Sequence, residues 1–568
     1  MRKIILRASA ILLPFMVIIA CEGIVRLFGS TPFFIPVLGQ SDYQTVNPAY
    51  ASRYFRGFIP QVAYNPFLKE KPDSVFRVVT LGGSTTAGYP YPFYVGFPER
   101  FVARFRSIHP ERSVEVINLG MTALSSYVLR DMTADVVDMK PDAVLLYTGH
   151  NEYYGAYGAA SQILHPTLIR VLFWFKKSVL FRKLERLITP PVESNRTMMA
   201  QSTTDVGIMK DGRVYHRGIQ NFDQNLNAIL EQFYDEGIPM YIGLLVSNIM
   251  TQPPLSDDST ANHHWTNGKQ YWANGDTLAA KTSFLQAKEF DAIRFRAPEQ
   301  INQVIAQRAY EHGAIIVNTE EGFPFTTRDS LFTDHLHPTA LGYDRMAEAF
   351  LKEVADQSSD LGSSLTSTEP SPLDAAYARL LITRLRLGFP FTKGLSQQQE
   401  WQQFEEILQI HQQSHQSADS LAALAVTFEM PIYEALLQAH RINLANSDTI
   451  WALAHMRSLL YWQPFNQQLR YQAAELASQQ STRIAGEVMQ LVTAREPTEL
   501  YLNTLAAIRL QQGVLDISGI LLRQIESTYA ESPVMLYNMA RYLVQTGDTV
   551  AAEGYFRRYQ SARNSTAQ

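Results

Sequence analysis

The sequence predicts a three-layer α/β/α domain built on a parallel sheet of about five strands, with an apolar N-terminal helix before it and an all-α repeat region after it. Three observations carry this expectation. Between Val75 and Asp356, short and nearly continuous apolar stretches alternate with amphipathic helical ones, which is the pattern of strands buried on both faces by helices. Beyond Ser371 the chain is rich in Ala, Leu and Gln with few β-branched runs, and its last part repeats with a shift of 34 residues. At the start, basic residues precede an apolar run. A length of 568 residues exceeds one ordinary core, so several domains are expected.

At the N-terminus, Arg2, Lys3 and Arg7 precede an apolar run from Ala8 to Cys21, after which Glu22 and Arg26 interrupt. The run alone is short of the roughly 20 residues of a full span. Continued to Phe28, it makes a spanning helix if Glu22 and Arg26 lie at the interface. Residues 1–28 therefore read as a signal anchor with its basic end in the cytoplasm. Two other fates stay open: cleavage, or lipidation of Cys21, since Ile18-Ile19-Ala20-Cys21 reads as a lipobox. Each of the three exports the rest of the chain. Cys21 is the only cysteine, so no intramolecular disulfide forms. Residues 29–74 read as a linker and N-terminal extension.

Residues 75–356 read as the α/β domain. Phe76 to Leu81 is the first strand and ends in Gly82-Gly83-Ser84. Phe101, Phe105 and Ile108 give a helical face. Val114 to Leu119 is the second strand, ending at Gly120, and Leu129, Met132, Val136 and Met139 follow at helical spacing. Ala143 to Tyr147 is the third strand and ends in Thr148-Gly149-His150-Asn151. Phe222 to Phe233 is an amphipathic helix, Met240 to Val246 and Ala314 to Val317 are further strands, and Tyr343 to Val354 closes with a helix. Two insertions interrupt, at about 155–213 and 253–298. The first contains the apolar stretch Leu168 to Leu180 and reads as a lid, a membrane-facing flap or a buried packing helix. The second reads as a helical hairpin.

Residues 357–371 are rich in Ser, Thr, Gly and Pro and form a linker. In the region 372–568, Ala506, Gly513, Leu522 and Ile525 recur as Ala540, Gly547, Phe556 and Tyr559. This is the tetratricopeptide (TPR) period. Stacked helical pairs expose a concave face, so this region has a protein or peptide as its expected partner; packing on the catalytic domain is the alternative.

In parallel sheets, ligands bind beyond the carboxyl ends of the strands, and the polar motifs sit there. Ser84 follows a strand and two glycines, which permit a tight turn that presents a side chain. A phosphate-cradling loop is the competing reading, but no Gly-Lys-Ser/Thr follows. Asp334-His335-Leu336-His337-Pro338 places an acid and an imidazole three residues apart before a helix. His337 would be the general base for Ser84, and Asp334 would fix its tautomer. A metal site at Asp334, His335 and His337 is the weaker reading because no second ligand cluster is evident. No metal or cofactor is expected. Asn151 could donate to an oxyanion, and Gly120 could offer a backbone N–H.

These residues together resemble the SGNH/GDSL hydrolase family. Its four blocks occur in order as Gly82-Gly83-Ser84-Thr85-Thr86, Asn118-Leu119-Gly120, Gly149-His150-Asn151-Glu152 and Asp334-His335-Leu336-His337-Pro338. The resemblance covers roughly Val75 to Glu353 and implies a flavodoxin-like fold. It implies Ser84 as nucleophile, His337 as base, Asp334 as its partner, and an oxyanion hole of the Ser84 N–H, the Gly120 N–H and the Asn151 amide. Gly83 stands where the family usually has Asp before the serine, and Glu152 where its third block usually ends in Asp. Gly83, Tyr89, Tyr153 and Glu152 are expected to line the substrate site; Tyr91 and Tyr154 flank the same motifs, and packing roles for these tyrosines are the alternative.

The implied activity is that of a membrane-anchored bacterial serine hydrolase on the extracytoplasmic (periplasmic) side. It would cleave ester bonds of an ester- or acetyl-bearing lipid or glycan through an acyl-enzyme, as an esterase, acylhydrolase or carbohydrate deacetylase. An O-acetyltransferase of envelope polysaccharide and a TPR scaffold with a vestigial hydrolase domain are the alternatives. At a net charge of −5, no basic surplus argues for nucleic acid.

Overall fold

In a computed structural model of the chain, residues 13, 16–25, 32–55, 60–160, 166–188, 207–355 and 369–566 are described. The stretch read as a linker and extension holds a small antiparallel sheet of β1 (Phe34–Val37), β2 (Gln40–Val46) and β3 (Phe67–Leu68), in that order. The hairpin turns at Leu38-Gly39, where Gly39 adopts a φ of +75° that favours glycine. Pro36, which cannot donate to a ladder, borders the register shift in β1.

The main domain then runs β4 (Val75–Gly82), α1 (Ser84–Ala87), α2 (Phe97–Ile108), β5 (Ser113–Asn118), α3 (Ser126–Val137) and β6 (Ala143–Tyr147). The first insertion supplies α4 (Pro166–Lys176) and α5 (Val179–Ile188). There follow α6 (Arg213–Asp235), β7 (Met240–Gly243), the inserted hairpin α7 (Ser259–Ala273) and α8 (Thr277–Phe290), α9 (Glu299–His312), β8 (Ile315–Val317) and α10 (Ala340–Ala355). Five parallel strands pair in the order β5-β4-β6-β7-β8. The order reverses between β4 and β6, the switch point where doubly wound sheets bind ligands.

Helices cover both faces, with α2 against α10, and α6 against α3 and α9. Val78, Val79, Leu81, Ile117 and Val144 to Leu146 are wholly buried between these layers. Strand β7 stops at Gly243 rather than reaching Val246. Past that point the Leu245 N–H turns to the Asn302 side chain and the Val246 N–H to the Tyr147 hydroxyl.

The C-terminal region is all helical: α11 (Pro372–Leu387), α12 (Gln397–Gln412), α13 (Ser417–Val426), α14 (Ile432–Ala445), α15 (Thr449–Trp462), α16 (Gln467–Ser478), α17 (Arg483–Arg495), α18 (Glu499–Gln511), α19 (Leu515–Tyr529), α20 (Pro533–Thr546) and α21 (Thr549–Thr566). The 34-residue repeat falls on α18–α19 and α20–α21. Ala506 and Ala540 are buried in the first helix of each pair, and Gly513 and Gly547 follow it at positive φ. Leu522 and Ile525 fill the interior, whereas Phe556 is exposed.

This region docks on the α/β domain. Tyr94 stacks on Tyr461 at 5.1 Å, and its hydroxyl donates to the buried Asp374 at 2.7 Å. Gln490 Nε2 donates to Ser107 Oγ at 2.8 Å.

Residues 16–25 are helical. Among the described residues no helix is long and apolar enough to cross a membrane. The rest of the expected 1–28 anchor (apart from residue 13), and residues 357–368 of the expected linker, lie outside the described residues.

Candidate active site

Ser84 opens α1 directly after β4, so its side chain stands at the carboxyl end of the sheet. Gly120 follows β5, and Asn151 follows β6 after Thr148, Gly149 and His150. The loop 332–338, which precedes α10, brings the remaining two groups more than two hundred residues later in the chain. There Asp334 accepts the backbone N–H of Leu336 at 2.9 Å and of His337 at 2.8 Å through Oδ1. This local turn leaves Oδ2 for the His337 imidazole at 2.6 Å. With that nitrogen donating, Nε2 accepts from the Ser84 hydroxyl at 2.7 Å. Serine, imidazole and carboxylate thus form one continuous chain of hydrogen bonds.

All three residues are buried, with Asp334 at 1%, His337 at 6% and Ser84 at 8% exposure. Burial alone would raise the Asp334 carboxyl. The His337 and His335 imidazoles, with their hydrogen bonds, outweigh it and hold Asp334 well below the usual carboxylate range. Asp334, His335 and His337 are also the one group among the described residues whose side chains converge as metal ligands would. Both ring nitrogens of His337 are engaged by Asp334 and Ser84, which suits proton transfer better than metal ligation.

Asn151 lies over the turn before Ser84. A Cβ on Gly83 would sit 2.5 Å from Asn151 Nδ2, so a glycine there admits the amide beside Ser84. Gly120 is equally confined, since a Cβ would meet the Ala87 backbone nitrogen at 2.4 Å. Its N–H, however, donates to Asn118 Oδ1 at 2.8 Å and is not free for an oxyanion. The expected third donor is thus committed to holding the turn. Asn118 also donates to the Thr86 carbonyl at 3.0 Å, so one side chain pins the end of β5 to α1.

The residues expected to line the substrate site divide. Tyr89 tilts against the His337 ring at a centroid distance of 4.7 Å. Tyr153 is wholly buried; its hydroxyl donates to the Tyr215 carbonyl at 3.1 Å, and it packs the core instead. Glu152 also turns inward, accepting from the Ser126 N–H at 2.8 Å and hydroxyl at 2.7 Å, and so caps the start of α3. Burial pushes its carboxyl up to about 7 against those hydrogen bonds. Tyr91 packs on Tyr343, and Tyr154 on Phe295. His150 accepts the Ala297 N–H at 3.1 Å; burial and the neighbouring His335 push it down to about 3, so it is neutral.

Other residues of the site carry no local sequence signal. Asn248 donates to the Asp334 carbonyl at 3.1 Å, and its N–H donates to the His335 carbonyl at 2.9 Å. From the helical region, Arg386 donates to the Thr333 carbonyl at 2.7 Å, and Phe391 packs edge-on to His335 at 5.4 Å. The loop that carries Asp334 and His337 is therefore held from both domains.

Residues 80–345 match the model of the GDSL-like Lipase/Acylhydrolase family. No curated protein matches the chain. Among solved structures, it is similar to LAE5, an alpha/beta hydrolase enzyme from the metagenome of Lake Arreo, Spain. That likeness has 15% identity over 49% of this chain and 94% of the other, with a TM-score of 0.28. It is also similar to Axe2, an acetylxylan esterase from Geobacillus stearothermophilus, with 16% identity, 49% and 93% coverage and a TM-score of 0.28. A lipase/acylhydrolase from Enterococcus faecalis gives 15%, 49%, 95% and 0.27.

Proposed function

From a chain that carries a GDSL-like lipase/acylhydrolase domain, an ester hydrolase of the SGNH type, we propose that it cleaves esters of small acyl groups through a Ser84–His337–Asp334 triad. The observation that carries this reading is the unbroken hydrogen-bond chain from Ser84 Oγ through His337 to Asp334. Ser84 attacks the ester carbonyl carbon while His337 Nε2 takes its proton. The carbonyl oxygen becomes an oxyanion held by the Asn151 amide and the Ser84 N–H. Collapse expels the alcohol, which His337 protonates. Water, deprotonated by the same imidazole, then attacks the acyl-enzyme, releases the carboxylic acid and restores Ser84.

The enclosed nucleophile, with Tyr89 against the imidazole, favours short acyl chains such as acetyl on a glycan or lipid alcohol. The apolar N-terminal segment behind Arg2, Lys3 and Arg7 anchors the enzyme to a membrane with its catalytic domain on the extracytoplasmic side. Lipidation of Cys21 would serve the same end.

A fluorophosphonate probe tests the chemistry. Covalent labelling of the wild type and none of Ser84→Ala is expected, together with faster hydrolysis of acetyl than of octanoyl esters. An unlabelled wild type would overturn the enzymatic reading. Faster octanoyl turnover would overturn the short-acyl assignment.

A further inference from the structure

Glu22 breaks an otherwise apolar stretch, and its partners account for it. Its carboxylate accepts from the Ser178 hydroxyl at 2.7 Å and from the Val179 and Leu180 N–H groups, each at 2.9 Å. Those N–H groups open α5 and have no acceptor within their own helix. Helical residues 16–25 are thereby fastened to the α4–α5 hairpin. Only Cys21, Glu22 and Val25, one stripe of that helix, are half-buried; Met16, Ile18, Ile19 and Ile24 are exposed.

The hairpin has the same two-sidedness. Ile169 and Phe173 face inward, with Phe173 edge-on to Tyr157 at 4.6 Å. Trp174, Phe175, Leu184, Leu187 and Ile188 face out, with Leu187 and Ile188 at about 80% exposure. Side chains this large are scattered singly on ordinary surfaces, not gathered on two joined elements.

The charge pattern says what covers them. Arg170, Lys177 and Lys183 are exposed on the hairpin, whereas its acid, Glu185, is turned in to Lys176 at 3.1 Å. Outward apolar residues, an exposed Trp and solely basic exposed charges are the chemistry of a helix lying in the headgroup layer of an anionic bilayer.

We propose that the α4–α5 hairpin and helical residues 16–25 form one lipid-seating face, with Glu22 fixing the two elements to each other. This rests on the membrane-anchor part of the proposed function and is independent of the ester chemistry. Because the hairpin also packs through Phe173 and Tyr157 beside the loop that carries Asn151, seating it sets how the catalytic domain stands over the membrane.

The full chain, reconstituted into vesicles of phosphatidylcholine and phosphatidylglycerol with brominated acyl chains, provides the test. Flotation of the vesicles reads the anchor, and quenching of tryptophan fluorescence reads the face. The expected result is quenching in the wild type that exceeds quenching in Trp174→Phe, and that falls in Leu187→Glu and Glu22→Ala while hydrolysis of a soluble ester is unchanged. A chain that floats but quenches equally with and without Trp174 would overturn the face and leave the anchor standing. A chain that does not float overturns both. Dimers in vesicle-free buffer that Leu187→Glu returns to monomers, with no Trp174 quenching in vesicles, would assign the face to a second copy and overturn the lipid assignment.

Discussion

A carboxylate, an imidazole and a hydroxyl in sequence make a proton path whose parts are separable by substitution. Asp334→Asn keeps the turn but removes the charge that fixes the His337 tautomer, so kcat should fall by roughly 10^4 with KM little changed. Asn151→Ala should lower kcat by about 10^2–10^3, because the amide beside Gly83 meets charge that exists only in the transition state. Glu152 gives a stability prediction. Its carboxyl is raised to about 7 by burial, so the folded state holds a proton that the unfolded chain has released. The stability this contributes is full below the ordinary carboxylate value near 4.5 and is lost as pH rises through about 7. Thermal melts between pH 5 and 8 should show that loss, on the order of 1–3 kcal/mol, flattened in Glu152→Gln. Ser84, Asn151, Asp334 and His337 were legible as candidates in three short blocks, two of them just past strands and the third in the loop before α10. The inward turn of Glu152 and Tyr153 was not, because a residue beside a motif faces site or core according to helices far away in sequence, here α3 and Tyr215 of α6.

Elements decide how firmly those groups are held. The loop 332–338 carries two members of the proposed triad yet has no regular structure of its own. It is fixed by Asn248 after β7 and by Arg386 near the end of α11. Asn248→Ala should reduce kcat more than it raises KM and destabilise the fold by about 1–3 kcal/mol, since it leaves the buried Asp334 carbonyl without its donor. A chemical melt with the kinetic split checks both. The strand and helix order was readable from periodicity, with β6 matched to the residue and β7 shorter at its end. What periodicity missed were elements without strong pattern, above all the β1–β3 sheet. Strands β1 and β3 have only four and two residues, Pro36 interrupts β1, and burial along β2 does not alternate, so no period-2 pattern marks them. Gly120 shows the same limit: its N–H, expected to face an oxyanion, is engaged by Asn118 two residues earlier, and what lies close to it is the backbone of α1.

The whole molecule joins an α/β sheet to a helical array through a buried polar and aromatic seam. Asp374 is wholly buried there, accepting from Tyr94, Ser371 and Ser458. Tyr94→Phe removes one of these donors and should destabilise the full chain by about 1–2 kcal/mol, read as a lower melting temperature of a transition shared by both regions. Because Arg386 and Phe391 of the helical region touch the loop that carries Asp334 and His337, the same variant should also slow ester hydrolysis. The sequence by itself determined the α/β order and the helical character of the C-terminal region, and it named Ser84, His337 and Asp334 as candidates, because each is written in local spacing or short motifs. Only the tertiary structure decided which donors are engaged, which tyrosines face Ser84 and His337, what Glu22 binds and how the helical region grips the loop 332–338. Those depend on contacts between residues tens to hundreds of positions apart, whose partners no local pattern names.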